Sequence, residues 1–172
     1  LKNNNTDIAD LDAIAVTIGP GSYTGLRIGL STAKGLCYAL QKPLLTLSSL
    51  QLIASVAPAD AGELICPMID ARRMEVYYAL YDQTLNEINS PAALVLDENS
   101  FLSELNAKKI IFCGNANEKL KRICHHPHAV FCRHEASAKD MARLAFKKFV
   151  KKEFADLAYY EPLYVKEFQQ RK

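Results

Sequence analysis

Gly19-Pro20-Gly21-Ser22-Tyr23-Thr24-Gly25-Leu26-Arg27-Ile28-Gly29 is the stretch whose reading decides the fold. The apolar run before it, Ala13 to Ile18, is bounded by Asp12 and Gly19 and predicts a buried strand. The segment after it, Thr24 to Leu40, predicts a helix that Pro43 closes. A strand, a glycine-rich turn and a helix together make an arrangement able to hold an anion. Unpaired N–H groups at the helix start point outward, and the macrodipole adds positive potential. Gly19, Gly21, Ser22 and Thr24 form this candidate anion-binding loop, with Ser22 or Thr24 as the helix cap. The spacing fits neither standard nucleotide motif. A P-loop requires Lys after its last glycine, and Leu26 stands there; the dinucleotide fingerprint requires its third glycine one residue earlier than Gly25.

Within the predicted helix, Gly25, Gly29 and Ala33 are spaced i, i+4, i+8 and lie in one row. A helical glycine costs roughly 1 kcal/mol relative to alanine. A row of small residues offsets that cost when another backbone packs closely on it. The sequence leaves open whether that neighbour belongs to the same chain or to another protein.

Further along, Leu44 to Leu47 reads as a second strand, and Ser48 or Ser49 caps a helix to about Ala57. Pro58-Ala59-Asp60-Ala61-Gly62 is a breaker cluster and the expected boundary between two units, 1–62 and 63–172. Leu64 to Asp70 and Met74 to Tyr81 predict a hairpin turning at Ala71-Arg72-Arg73. Strands at Ala92 to Leu96, Lys109 to Cys113 and Ala129 to Cys132 then alternate with helices. Asp97 caps a short helix through Leu105, and another helix spans Asn117 to Ile123. A long final helix is capped by Ser137 and Asp140 and runs to Phe154, with Met141, Leu144, Ala145 and Phe149 on one stripe. This alternation predicts an α/β fold.

The 172 residues are 49% hydrophobic and 23% charged, ordinary for a globular protein with a core. Net charge is only +2, which argues against a chain built mainly to hold nucleic acid. Residues 139–172 nevertheless carry nine Lys and Arg against five acids, leaving +4 there and −2 in the remainder. Such an end suits RNA, an acidic partner surface, or a solvated helix face. The five cysteines are odd in number and lack CxxC spacing; several lie in apolar runs, as buried reduced thiols of a cytoplasmic protein do. No apolar run approaches the roughly 20 residues of a membrane span. The tyrosines at 77, 78, 81, 159, 160 and 164 suit packing of a sheet face and a terminal segment better than base stacking.

Three separated stretches resemble the TsaB (YeaZ) family. They are Gly19 to Gly29 with Ala33-Lys34-Gly35-Leu36, Ile69-Asp70-Ala71-Arg72-Arg73-Met74-Glu75-Val76-Tyr77, and Glu161-Pro162-Leu163-Tyr164-Val165. The resemblance implies an actin/Hsp70/sugar-kinase-like (ASKHA, ribonuclease H-like) two-lobe fold, with 1–62 as the remainder of the N-terminal lobe. The family's opening strands have no counterpart before Ala13, so that lobe is expected to be incomplete. The resemblance further implies a non-catalytic subunit that binds and activates TsaD, with TsaE joining, in threonylcarbamoyl transfer to the adenosine beside the tRNA anticodon. It implies a homodimer when alone, only indirect or weak contact with tRNA, and no cofactor. On this basis Gly25, Leu26, Gly29, Thr32, Ala33 and Leu36 are expected to form the partner-binding helix.

The rival is an enzyme of the same superfamily, either ATP-dependent or an M22-type metallopeptidase. Asp70, Arg72 and Arg73 occupy the place of a phosphate-gripping hairpin, but a phosphate turn needs glycine so that N–H groups approach the oxygens. The arginines are expected to pair with Asp70, Glu75 or another acidic group instead, leaving a degenerate site. His125, His126, His128 and His134 cluster around Pro127 and lack the two-histidine spacing of a TsaD-type metal site, so no metal and no catalytic residue is expected.

Overall fold

The computed structural model describes residues 7–133 and 135–166, and it is an α/β structure with two sheets. The first sheet pairs β1 (Ile14–Gly19) in parallel with β2 (Leu44–Ser48), joined by α1 (Tyr23–Leu40). Parallel neighbours need such a crossover, and the 18-residue helix supplies it. Ser22 caps α1 by accepting the Gly25 amide on Oγ at 3.3 Å. At the other end Gln41 turns left-handed, with φ of 52°, and its N–H returns to the Cys37 and Tyr38 carbonyls.

The second sheet has strand order β5-β4-β3-β6-β7, built from β3 (Leu64–Asp70), β4 (Glu75–Asp82), β5 (Glu87–Val95), β6 (Ile110–Cys113) and β7 (Ala129–Phe131). β3 runs antiparallel to β4 and parallel to β6, so it sits mid-sheet and is buried from Leu64 to Met68. The two-residue period of the strands divides its side chains. Cys66, Met68, Val76, Ile110 and Phe112 pack on one face against Leu105 of α3 (Leu102–Ala107) and Leu120 of α4 (Asn117–Lys121). Ile65, Ala79, Tyr81, Ile111 and Cys113 pack on the other against Leu50 and Ala54 of α2 (Ser49–Ala54). Leu52 of α2 instead joins Leu45, Leu47 and Leu144, so α2 ties the two sheets together. α5 (Met141–Val150) closes over β2 with Leu144 and Ala145 buried, as its apolar stripe predicts.

Several boundaries shift from expectation, for local reasons. β5 begins at Glu87, five residues before the predicted strand, because Glu87 to Ser90 are exposed on an edge strand that tolerates polar residues and Pro91. Asp97 does not open a helix. Its carboxylate accepts the Asn99 amide and the Ser100 hydroxyl in a turn, and α3 starts only at Leu102. α2, α4 and α5 each end two to four residues early. The Ser137–Asp140 capping box is present and opens a 3-10 turn, Ala138–Asp140, ahead of α5.

Cys37, Cys66, Cys113 and Cys132 are buried and Cys124 is partly buried; all five are free thiols. Burial pushes the Cys113 thiol up to about 12. Of the tyrosines, Tyr81 is fully buried and Tyr78 sits edge-on to Phe101 at 5.1 Å, whereas Tyr159 is exposed. Among the described residues, no helix is long and apolar enough to cross a membrane.

Candidate functional site

The three family-like stretches, far apart in sequence, meet in space. A cavity of ≈ 300 Å³ is lined by Pro20, Gly21 and Tyr23 from the first, Arg72, Glu75 and Tyr77 from the second, and Leu163 to Val165 from the third, with Lys166 beside them. The terminal segment is strapped on at several points. Leu163 donates its amide to the Ile18 carbonyl at 2.8 Å, Tyr164 lies 5.1 Å from the Tyr23 ring, and Lys166 pairs with Glu75. Ala155 and Leu157 pack beneath it against the cluster holding Leu30, Ala33 and Leu44.

The candidate anion loop is organised by this strap. Gly19 has φ of 120°, and a Cβ there would fall 2.6 Å from the Leu163 carbonyl oxygen. Ser22 is occupied as the helix cap, while Thr24 is exposed. Gly21 and Ser22 also line one wall of a ≈ 620 Å³ groove whose opposite wall is Ile69, Gly114 and Asn115.

The hairpin at Asp70, Arg72 and Arg73 corrects one expectation. The arginines do not take the neighbouring carboxylates. Asp70 Oδ1 accepts Lys119 Nζ at 2.7 Å and the Arg72 amide, and Glu75 pairs with Lys166. Hydrogen bonding from Lys119 holds the Asp70 carboxyl below the usual range. Arg72 and Arg73 both adopt left-handed backbone, with φ of 73° and 47°, and neither guanidinium makes an ion pair among the described residues. Lys119, 49 residues beyond Asp70, carries no local pattern that marks it as their competitor.

The α1 residues separate into two faces. Leu26 and Ala33 are buried in the chain's own core, and Gly29 faces Val16 of β1, where an added Cβ would lie 3.8 Å from Val16 Cγ2. The inner part of the Gly25–Gly29–Ala33 row is therefore packed on the chain's own strand. Gly25 and Thr32 are exposed, and Leu36 is half-buried. Beside them lie Ile28, Gly35 and Ala39, all exposed, with Ile28 at 62%. Gly25, Ile28, Thr32, Gly35 and Ala39 recur at helical spacing as an uncharged outer stripe. Arg27 and Lys34 lie off it. Arg27 is held over the Tyr23 ring and donates to its hydroxyl at 2.8 Å, and Lys34 reaches the Ala158 carbonyl at 3.2 Å. The spacing of Ile28, Gly35 and Ala39 is the signal in the sequence that marks this stripe, and it lies next to the more conspicuous row of small residues.

The described histidines form a turn. His126 Nδ1 accepts the His128 amide at 3.2 Å, and His128 Nδ1 lies 2.8 Å from the Leu105 carbonyl. His134 lies outside the described residues. Among the described residues no three His, Cys, Asp or Glu side chains are grouped to hold a metal ion.

Comparison with known proteins places this geometry. The family model described as TsaD, tRNA N6-adenosine threonylcarbamoyltransferase, matches residues 1–167. The chain is similar to the tRNA threonylcarbamoyladenosine biosynthesis protein TsaB of Bacillus subtilis, 41% identical over 103 residues, covering 59% of this chain and 43% of that protein. The Escherichia coli protein of the same name is 38% identical over 89 residues, covering 51% of this chain and 38% of its own length. The matches thus span less than half of these relatives. Among solved structures, YeaZ from Pseudomonas aeruginosa superimposes with a TM-score of 0.80 at 28% identity, covering 95% of this chain and 78% of that one. A second Pseudomonas aeruginosa structure, described as an uncharacterized protein with similarity to peptidase YEAZ, gives a TM-score of 0.81 at 26% identity over 96% of this chain and 78% of that one. The chain belongs to the family that this tRNA N6-adenosine threonylcarbamoyltransferase model describes, and within it to the TsaB proteins.

Proposed function

We propose that the chain is a non-catalytic accessory subunit that docks on a TsaD homologue and activates it, with a TsaE homologue, in threonylcarbamoyl transfer to the adenosine beside the tRNA anticodon. The observation that carries this reading is the outer stripe of α1. Gly25, Ile28, Thr32, Gly35 and Ala39 leave an uncharged helix surface in solvent, and an added Cβ on Gly35 meets nothing within 4 Å. Small residues on a helix face permit close approach of a second helix, and their cost is recovered only when one arrives. In the absence of TsaD the same stripe pairs with a second copy of the chain.

The absence of catalysis is argued from the hairpin. Its Asp70 is committed to Lys119 and to the Arg72 amide, and two bulky left-handed arginines stand where phosphate oxygens would need bare N–H groups. The two sheets correspond in this reading to two ASKHA-type lobes, residues 1–62 and 63–172, in a cytoplasmic protein without a bound cofactor.

The test is a modification assay with tRNA, threonylcarbamoyl-adenylate and the TsaD and TsaE homologues. The reading expects product to rise when the chain is added and no ATP hydrolysis or peptide cleavage by the chain alone. Turnover by the isolated chain, or a yield indifferent to its presence, contradicts it.

A further inference from the structure

A cavity of ≈ 690 Å³ opens between α5, the end of α2 and the β4–β5 turn, with no lining residue from the strap or from α1. Its floor includes Ile65 and Leu144, and its rim carries Lys139, Arg143 and Lys147. Arg143 and Lys147 stand one turn apart on α5, about 6 Å along its axis, and Lys139 precedes them in the 3-10 turn. Like charges at this spacing destabilise a helix unless counter-charge sits among them.

Within the row the chain supplies a single counter-charge, the Asp140 carboxylate, which lines the same cavity and interacts electrostatically with Lys139. None of the three is in an ion pair among the described residues. The nearby carboxylates accept hydrogen bonds within their own turns and, among the described residues, form no ion pair with the three cations. Asp140 accepts the Ser137 amide at 2.8 Å and its hydroxyl at 2.7 Å. Asp82 accepts the Thr84 and Asn86 amides, the Thr84 hydroxyl and the Asn86 side-chain amide. The cavity therefore presents three cations outside any ion pair among the described residues, against the one carboxylate of Asp140, over an apolar floor, with Gln83 and Thr84 as neutral polar groups at its edge.

We propose that the Lys139–Arg143–Lys147 row binds the sugar–phosphate backbone of RNA. The proposal rests on the reading of the chain as a tRNA-modification subunit and adds to it a direct contact with tRNA. A row of cations follows a phosphate backbone, neutral polar groups take sugar and phosphate oxygens, and an apolar floor accepts the face of a base. The low overall charge of +2 keeps the association weak, within the roughly 10⁻⁴–10⁻⁶ M range of binding carried by phosphate interactions alone.

Fluorescence anisotropy of labelled unmodified tRNA, titrated with the full chain at 50 and 200 mM salt, tests this. Arg143→Gln with Lys147→Gln is compared with the charge-matched control Lys42→Gln with Lys108→Gln. The groove pair should weaken binding at least ten-fold and flatten the salt dependence by about 0.7–0.9 in slope for each phosphate no longer neutralised; the control pair should change affinity less than two-fold. Equal weakening by both pairs would overturn the proposal in favour of a diffuse field. Poly-glutamate bound as tightly as tRNA, with the same dependence on Arg143 and Lys147, would overturn it in favour of an acidic protein partner. The two readings fail separately. Variants that bind tRNA like wild type while stimulation of modification persists sink the groove alone. Groove-dependent tRNA binding without any stimulation leaves the groove standing and sinks the accessory role.

Discussion

Gly19 and Leu163 meet backbone to backbone across nearly the whole length of the chain: a Cβ on Gly19 would lie 2.6 Å from the Leu163 carbonyl oxygen. The glycine opens the loop after β1, and the leucine belongs to the terminal strap. Two family-like stretches therefore depend on each other physically. The glycine is required by a left-handed φ of 120° and by the strap lying on it, rather than by a phosphate.

Gly19→Ala should cost roughly 1–3 kcal/mol from the backbone conformation alone, with a further cost as the strap is pushed away. Urea unfolding measures the total, and hydrogen exchange at the Leu163 amide reports the strap directly. Unchanged stability together with an equally protected Leu163 amide would show that the two backbones are not tightly apposed.

Asp82 sets a pH dependence. Hydrogen bonding from the Thr84 hydroxyl, reinforced by Asn86 and the Thr84 amide, brings its carboxyl down to about 2, against about 3.9 in an unfolded chain. A depressed folded value means the stabilisation is fully present above about pH 4 and is lost as pH falls toward 2. Carboxyl titration by NMR should place the midpoint near 2, and Asp82→Asn should flatten the decline in stability across that window. An ordinary midpoint near 4 would contradict the geometry.

Asn117 holds two strand ends together. Its side-chain amide donates to the Phe112 carbonyl at 3.3 Å and to the Cys132 carbonyl at 2.8 Å, in a buried setting. Asn117→Ala leaves both carbonyls without that donor and should cost about 1–3 kcal/mol, read from denaturant midpoints at constant m-value. A change below about 0.5 kcal/mol would mean that water replaces the amide.

The order of strands and helices was largely legible, because hydrophobic period and local caps decide it. Ser22 and the Ser137–Asp140 box lie where their sequence context put them, and the Leu64 to Tyr81 hairpin formed from the two strand-like runs on either side of the Ala71-Arg72-Arg73 turn. What escaped reading was set by distant residues. Glu87 to Ser90 carry no strand pattern and are held as an edge by pairing with β4. Asp70 was expected to meet an adjacent arginine, yet Lys119 arrives from α4, which follows β6 in the chain. On α1 the small-residue row was visible, but which side of it faces solvent depends on β1, and that is a fact of packing. The spacing of Ile28, Gly35 and Ala39 is visible in the sequence, but that this stripe is the solvent face follows only from the burial of Leu26 and Ala33.

Gly35 gives the most direct test of the docking claim, since an added Cβ has open space and the position is an exposed helix interior. Gly35→Arg should leave the fold intact and raise stability by up to about 1 kcal/mol through helix propensity. The decisive measurement is calorimetric titration of a TsaD homologue into the wild-type chain and into Gly35→Arg. The account predicts at least a ten-fold weaker association for the variant with an unfolding midpoint no lower than wild type. Association of equal strength in the two proteins would contradict it.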